Sequence, residues 1–317
     1  MAERKTPNAA TTNQPVPRRP GPLRWLLACV LLCLAACGKE PANTASAPPL
    51  RFVAMGDHGT GGTAQREVAD TLAQVRADWG LDLVLLLGDS FYPDGVHSVD
   101  DPRWRTHFED VYDAGRLPLP FYAVAGNHDS KQRIEAQVAY SYRSARWRMP
   151  ARNYSFVEAA GDRRVAFFGL DTVALDQPFA GFPDGLAWLD AALATTEADL
   201  RVVFSHYPMW SSLGRYGDNE RLIERLAPLL RAHGVGLYLS GHEHHLELQR
   251  PRDGLVQVIS GAGATNRDVD PGPQTRFASS RMGFFWFEIG PDTVRVRAVS
   301  RDGVVLFEGA IQAPAGR

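Results

Sequence analysis

Five short apolar runs in this chain each end just before a residue type that binds metal ions in proteins. These positions, each with its preceding run, are Asp57 after RFVAMG, Asp89 after LDLVLLLG, Asn127 after PFYAVAG, His206 after LRVVFS, and His242 after VGLYLSG, with His244 two residues later. Longer helical patterns separate the runs, which predicts an α/β fold with parallel strands. The helical patterns lie at about residues 63–79, 102–112, 132–142, 185–197 and 219–233. Because the carboxyl ends of parallel strands line one crevice, residues spread over about 190 positions can converge there. The pattern therefore predicts one metal site.

Taken singly, each of these residues has an ordinary explanation, because polar side chains often form turns or caps after strands. Five ordered coincidences of metal-ligand type are much harder to explain in that way. Four of the five turns also carry a glycine directly before the candidate ligand, namely Gly56, Gly88, Gly126 and Gly241. A missing side chain lets backbone and ion approach closely, so the glycines are consistent with a metal site.

The first 36 residues differ in character from the rest of the chain. Arg18, Arg19 and Arg24 precede an apolar stretch, residues 25–36, that is too short to span a membrane but fits a signal peptide. The stretch ends Leu-Ala-Ala before Cys37 and resembles a bacterial lipobox, whose cysteine becomes lipidated. A plain signal sequence followed by a chance cysteine is the alternative. We expect export by the Sec or twin-arginine route to the bacterial periplasm or cell envelope, with a lipid anchor on Cys37.

The remaining chain is predicted to be a tether at residues 37–49 and one catalytic domain at residues 50–312. The tether is rich in Pro, Ala, Ser and Thr, a composition typical of flexible linkers. With 44 % apolar residues and a formal net charge of −2, the chain is globular and has no basic field that favours nucleic acid. From residue 255 onward, four β-rich runs in quick succession predict an antiparallel sheet.

The candidate ligands lie in short motifs that resemble those of a known family. The motifs are Gly56-Asp57, Gly88-Asp89, Gly126-Asn127-His128-Asp129, His206 and Gly241-His242-Glu243-His244. They resemble the calcineurin-like binuclear metallophosphoesterases, and residues 88–92 (GDSFY), 108–111 (FEDV) and 205–211 (SHYPMWS) are similar to small purple acid phosphatases of the tartrate-resistant type. The resemblance covers residues 50–310. It implies a four-layer αββα sandwich, with two mixed sheets flanked by helices.

The resemblance also implies a binuclear centre with a ferric ion and a divalent iron, zinc or manganese ion. The implied ligands are Asp57, Tyr92 and His244 for the ferric ion, Asp89 as the bridge, and Asn127, His206 and His242 for the divalent ion. Gly59 stands where most metallophosphoesterases place a further histidine ligand, so another donor is required. The purple enzymes supply a phenolate at the position of Tyr92, and a hard anionic oxygen suits a trivalent ion. An aromatic side chain that merely packs at a strand end is the alternative for Tyr92.

Four further residues are candidates for substrate binding or proton transfer. In the resembling family the position of His128 contacts the substrate phosphate or donates a proton, and Asp129 could orient its ring. His58 stands where the family leads one to expect Trp and is expected at the edge of the site. Arg215 lies nine residues after His206, where the resembling phosphatases carry a second active-site histidine. Its guanidinium can hold a phosphate bidentately, unless it lies on a solvated loop away from the site.

The expected function is an acid phosphatase that hydrolyses phosphomonoesters by attack of a metal-bound hydroxide. A phosphodiesterase or nucleotide pyrophosphatase is an alternative, because the same metal core serves both reactions. A surface protein that binds metal or phosphate without turnover is a second alternative. The full ligand set together with a candidate proton donor at His128 argues against that reading.

Overall fold

The computed structural model describes residues 48–176, 185–212 and 217–312. Fourteen strands make up the β structure of these residues: β1 (Leu50–Met55), β2 (Leu83–Leu86), β3 (Phe121–Ala123), β4 (Trp147–Arg148), β5 (Tyr154–Ala160), β6 (Arg163–Gly169), β7 (Leu200–Phe204), β8 (Leu237–Ser240), β9 (Leu246–Gln249), β10 (Val256–Ser260), β11 (Thr275–Ser279), β12 (Gly283–Ile289), β13 (Thr293–Ser300) and β14 (Val305–Gln312). The predicted signal segment and Cys37 lie outside the described residues.

Within the described ranges, six α-helices lie among the strands: α1 (Thr63–Trp79), α2 (Ile134–Tyr140), α3 (Thr172–Asp176), α4 (Leu186–Thr195), α5 (Glu220–Arg225) and α6 (Ala227–Ala232). A π-helical segment spans Trp104–Glu109, and a 3₁₀ turn spans Asp129–Lys131. In the described part of the chain, no helix combines the length and apolar character needed to cross a bilayer.

The strands form two mixed sheets of seven strands each. The first sheet has the order β14-β13-β12-β1-β2-β3-β4, and the second has the order β11-β9-β10-β8-β7-β6-β5. Buried side chains from both sheets share one core, where the Phe52 ring of β1 meets the Phe167 ring of β6 edge-on at 5.5 Å between centroids. With the helices flanking the sheets, the predicted αββα sandwich is confirmed.

The central strands follow the predicted apolar runs, because β1, β2, β3, β7 and β8 are parallel strands buried in their sheets. The predicted helix at residues 219–233 is in fact two helices, α5 and α6, that meet at Leu226. Pro228 explains the break, because a proline ring collides with the carbonyl four residues earlier in a continuous helix.

The prediction of a single C-terminal antiparallel sheet was wrong for its first strand. Strands β12, β13 and β14 do pair antiparallel and extend the first sheet next to β1. In contrast, β10 lies in the second sheet, where it pairs parallel with β8 and antiparallel with β9. Its five residues are all buried, so it forms an interior strand of that sheet.

Candidate metal centre

The strand ends of both sheets meet at the candidate site. Asp57, Asp89 and Asn127 follow β1, β2 and β3 of the first sheet, whereas His206 and His242 follow β7 and β8 of the second. Asp57, Asp89 and His206 are buried, and each offers one ligand atom within 4.8 Å of the others. These three side chains therefore form a group that fits a metal ion.

Tyr92 and His244 form one part of the site together with Asp57 and Asp89. The Tyr92 Oη atom is 3.1 Å from Asp57 Oδ1, 3.1 Å from Asp89 Oδ2 and 3.3 Å from His244 Nε2. His244 Nε2 is in turn 3.1 Å from Asp57 Oδ1. Tyr92 therefore does more than pack at a strand end, because its phenol oxygen points to the same place as two carboxylates and an imidazole.

The second part of the site lies next to Asp89 and consists of Asn127, His206 and His242. The Asn127 Oδ1 atom is 3.0 Å from His206 Nε2, and the Asp89 Oδ2 atom is 3.6 Å from the same nitrogen. The His242 ring is 5.1 Å from the His206 ring between centroids. Asp89 thus contacts both parts, as a residue that bridges two ions must.

Partners outside the group orient two of the imidazole rings. His206 Nδ1 is 2.8 Å from the Leu87 carbonyl oxygen, and His244 Nδ1 is 2.8 Å from Thr265 Oγ1. Because a carbonyl only accepts hydrogen bonds, His206 carries its proton on Nδ1, and a neutral ring then presents the Nε2 lone pair to the site. Sequence reasoning missed both partners, since a backbone carbonyl and a threonine in a distant loop leave no recognisable pattern.

The backbone at the candidate ligands adopts an unusual conformation. Asp57, Asp89, His242 and His244 have φ values of 57°, 54°, 70° and 46°, and Asp253 is the one other non-glycine residue with positive φ in the described part of the chain. The left-handed region is costly for residues with a Cβ atom and is concentrated at functional sites. The fold therefore uses strained turns to direct these four side chains into the crevice.

Three of the glycines before the ligands have a steric role within the site. A Cβ atom on Gly126 would lie 2.1 Å from Asp89 Oδ1, one on Gly88 would lie 2.6 Å from His206 Nδ1, and one on Gly241 would lie 2.6 Å from Asp57 Oδ2. The absent side chains therefore make room for neighbouring ligand residues.

The electrostatics of this donor set favour bound cations. Burial and the nearby Asp57 and Asp89 carboxylates raise the pKa of the Tyr92 phenol well above its ordinary value. Burial, together with the neighbouring His206, lowers the pKa of His242 to about 3. Neutral imidazoles, paired carboxylates and a phenol are all metal ligands, and a cation at their centre would favour their deprotonated forms. The residues present therefore fit a metal centre.

His128 is held at the entrance of the site by backbone contacts. Its N–H donates to Asp89 Oδ1 at 2.8 Å, and its Nδ1 lies 2.6 Å from the Pro93 carbonyl oxygen. Asp129 does not orient this ring, which corrects our expectation. The buried Asp129 carboxylate instead accepts hydrogen bonds from the N–H groups of Ser90, Phe91 and Gly126, at 3.1, 3.2 and 2.9 Å. Asp129 therefore holds the two ligand turns together, because its side chain points into the protein.

His58 is buried beside the site. Its Nδ1 lies 2.9 Å from Tyr112 Oη, and its Nε2 has no hydrogen-bond partner among the described residues. Burial lowers the pKa of His58 to about 3. A buried ring with so low a pKa is neutral, and a neutral imidazole is a poor proton donor to a leaving group, so we do not retain the expected proton-transfer role for His58.

An open cleft of about 900 Å³ adjoins the candidate ligands. Asn127 and His242 line it together with Tyr207, Lys131 and Glu243. Sequence reasoning did not single out Lys131 or Glu243, although Lys131 is the only lysine between residues 40 and 317. Arg215, the predicted phosphate-binding residue, lies outside the described residues.

Comparison with known proteins agrees with this arrangement. Residues 50–246 match the family model described as "Calcineurin-like phosphoesterase". The chain is 36 % identical over 318 residues to "Tartrate-resistant acid phosphatase type 5" of Rattus norvegicus, which covers 90 % of this chain and 95 % of that protein. It is 30 % identical over 290 residues to "Purple acid phosphatase 17" of Arabidopsis thaliana, which covers 84 % of this chain and 82 % of that protein.

A solved structure with the same fold is "GAP50 the anchor in the inner membrane complex of Plasmodium". It has a TM-score of 0.76 and 26 % sequence identity, over 86 % of this chain and 91 % of that one. The chain belongs to the calcineurin-like phosphoesterase family. Within that family it is similar to the tartrate-resistant and purple acid phosphatases over most of its length.

Proposed function

We propose that this protein is a metal-dependent acid phosphatase that hydrolyses phosphomonoesters. The observation that carries the proposal is the convergence of Asp57, Asp89 and His206 from both sheets into one buried group. Similarity to acid phosphatases over about nine tenths of the chain supports the same reaction class. Because one fold hosts many functions, the proposal rests on this site rather than on the fold.

We further propose a ferric ion and a divalent iron, zinc or manganese ion as the resident metals. Asp57, Tyr92 and His244 would hold the ferric ion, and Asp89 would bridge. The contacts of Tyr92 with Asp57 and His244 support this grouping. Asn127, His206 and His242 would hold the divalent ion, supported by the 3.0 Å approach of Asn127 Oδ1 to His206 Nε2.

Bound at this position, two metal ions supply Lewis-acid activation of water and of the phosphoryl oxygens. His128 would donate the proton to the leaving alcohol from Nε2, since its Nδ1 is held by the Pro93 carbonyl. Asp129 would act indirectly, because the hydrogen bonds that it accepts from Ser90 and Gly126 hold the turns of Asp89 and Asn127 together.

Activity on matched phosphate esters tests this function. The metal-loaded protein should hydrolyse p-nitrophenyl phosphate at acidic pH far faster than bis-p-nitrophenyl phosphate. Asp89→Ala and His206→Ala should each remove most of the activity. Faster hydrolysis of the diester would support the phosphodiesterase alternative, and phosphate binding without turnover would support the non-catalytic one.

We also propose export and a lipid anchor on Cys37, from the apolar stretch that precedes it in the sequence. A single acyl chain binds membranes only weakly, so stable anchoring requires the multiple chains of a lipoprotein. The wild-type protein should fractionate with membranes, and Cys37→Ala should release it or stall its processing. A wholly soluble wild-type protein whose mature chain begins elsewhere would contradict the anchor.

A further inference from the structure

The cleft beside Asn127 and His242 has an uneven distribution of charge. Lys131 is the only lysine or arginine among the described residues that line it. Four carboxylates line the same cleft, those of Asp176, Asp218, Glu220 and Glu243. A cleft that only had to accept a phosphate dianion would gain nothing from so many carboxylates.

The cationic side chain lies beside the proposed proton donor. Lys131 Nζ is 3.1 Å from His128 Nδ1 and 3.3 Å from the Pro93 carbonyl oxygen. His128 directly follows the candidate ligand Asn127 in the chain. Lys131 therefore belongs to the end of the cleft at which the reacting phosphate would bind.

Three of the carboxylates come from other elements and carry no neutralising partner. Asp176 ends α3 and accepts a hydrogen bond from the Asn219 side-chain amide at 3.1 Å. Asp218 precedes α5 and accepts one from the Ser211 N–H at 3.0 Å. Glu220 begins α5 and is exposed. Within the described ranges, no lysine or arginine pairs with any of the three, so their negative charges face the cleft uncompensated.

Glu243 gives an independent indication of a ligand. Its side chain is buried, at 1 % exposure, although it lines the cleft. The Ser211 side chain hydrogen-bonds this carboxyl group, but its Oε2 atom has no hydrogen-bond partner in the described part of the protein. A buried carboxylate oxygen without a partner is costly, and a ligand that carries a cation or an N–H donor would satisfy it.

We propose that the cleft selects phosphomonoesters whose leaving alcohol carries an ammonium group, such as phosphocholine or phosphoethanolamine. The proposal rests on the phosphatase function above. The phosphate would lie beside the candidate metal ligands and Lys131, and the ammonium group would lie among the carboxylates, with Tyr207 as an aromatic neighbour. The reaction remains hydrolysis, in which water oxygen bonds to phosphorus, the ester P–O bond breaks and the alcohol takes a proton. Leaving groups with further negative charge, as in nucleoside polyphosphates, are disfavoured by the same carboxylates.

Paired substrates test this selectivity. Phosphocholine and its uncharged carbon isostere, 3,3-dimethylbutyl phosphate, are compared by their ratio of kcat/KM in metal-loaded protein. Glu220→Gln and Asp218→Asn should each lower the ratio about threefold, as expected for one exposed carboxylate near a cation. Glu224→Gln is the matched control, because Glu224 is exposed on the same helix but does not line the cleft, and it should keep the wild-type ratio. Comparing variants cancels the intrinsic difference in reactivity between the two esters.

Raising the salt concentration should lower the wild-type ratio, since exposed charges are screened. A ratio that is the same in the wild type and both cleft variants, and insensitive to salt, would overturn the selectivity. Hydrolysis of p-nitrophenyl phosphate is measured separately, so a loss of the proposed function is recognised independently. If turnover is absent, the Kd values of the two esters decide: tighter binding of phosphocholine that Glu220→Gln weakens supports the proposal, and equal Kd values refute it.

Discussion

Tyr92 offers a test of the proposed ferric ion. A phenolate bound to ferric iron gives a broad visible charge-transfer band, and Tyr92 Oη is the phenol oxygen at the site. Tyr92→Phe should abolish the band and reduce kcat less than Asp89→Ala does, because Asp89 contacts both parts of the group. Visible spectra and kinetics of the same preparations measure both effects. A colourless, fully active wild-type protein that contains only zinc or manganese would exclude the ferric assignment.

His128 should matter most for substrates with poor leaving groups. Alkyl alcohols have high pKa values and depend on a proton donor, whereas aryl leaving groups depend on it less. His128→Ala should therefore lower kcat for alkyl phosphates about 100-fold and for aryl phosphates much less. His97→Ala is the control, since His97 is an exposed histidine in the loop after β2. Equal losses on both substrate classes would contradict proton donation by His128.

Arg215 is expected to act on substrate binding alone. A guanidinium remains protonated and holds phosphate without donating a proton. Arg215→Ala should therefore raise KM for all monoesters with little change in kcat. Michaelis kinetics with phosphocholine and its uncharged isostere would distinguish this general effect from a loss of ammonium selectivity. An unchanged KM would contradict substrate binding by Arg215.

For individual residues, the sequence indicated which residue types converge at the site, because the candidate ligands follow strands in a regular order. It could not indicate the direction of each side chain. Asp129 follows His128, yet the left-handed turn at Asp89 places two backbone N–H groups around the Asp129 carboxylate, and the turn before Asn127 adds a third. His58 likewise occupies a buried position set by Tyr112, 54 residues away in the chain.

The turns that carry the candidate ligands pack against each other, and the turns of Asp89 and Asn127 touch at Gly126. A Cβ atom at Gly126 would lie 2.1 Å from Asp89 Oδ1 and 2.3 Å from Asp89 N, so one turn would have to move. Gly126→Ala should reduce the free energy of unfolding by about 2 kcal/mol or more and weaken metal binding. Thermal unfolding and metal content are the measurements.

Gly290→Ala provides the matched control for this change. A Cβ atom there would meet the Thr293 carbonyl oxygen at 3.7 Å, an ordinary contact in the turn between β12 and β13. This variant should keep the wild-type metal content and change stability by less than about 1 kcal/mol. Wild-type metal content in Gly126→Ala would indicate that the turns tolerate displacement.

Elements with apolar patterns could be predicted, and those with polar patterns could not. The bounds of α1 and β7 follow the expected segments, whereas β9, with the sequence LELQ, was missed. All four β9 residues are buried, including Glu247, which accepts hydrogen bonds from Ser212 Oγ at 2.7 Å and Thr275 Oγ1 at 2.8 Å. One partner comes from a loop and the other from the neighbouring strand β11, so the sequence of β9 carries no sign that its polar residues are interior.

In the folded domain, the candidate site lies where the two sheets meet. The order of strands and ligands predicted one crevice, whereas only the family resemblance implied that two sheets form it. The Gly56 N–H donates to the Ser260 carbonyl at 2.7 Å, and Ser260 Oγ donates to the Ala54 carbonyl at 2.7 Å, so β10 and β1 are joined beside the site. Such contacts between sheets form only in the assembled fold, so the sequence of a single strand does not predict them.

Because ligands from both sheets would share the same ions, metal removal should destabilise the whole domain. A ligand that binds only the folded state at 1,000 times its Kd adds about 4 kcal/mol of stability, which corresponds to a Tm change of about 10 °C for a domain of this size. Chelation should lower Tm by about that amount, and returning the metals should restore it. His206→Ala, which loses a second-sheet donor, should show a much smaller response, whereas His97→Ala should respond like the wild type. If metal analysis shows that the wild-type protein has lost its ions while its Tm stays unchanged, the ions do not tie the two sheets together.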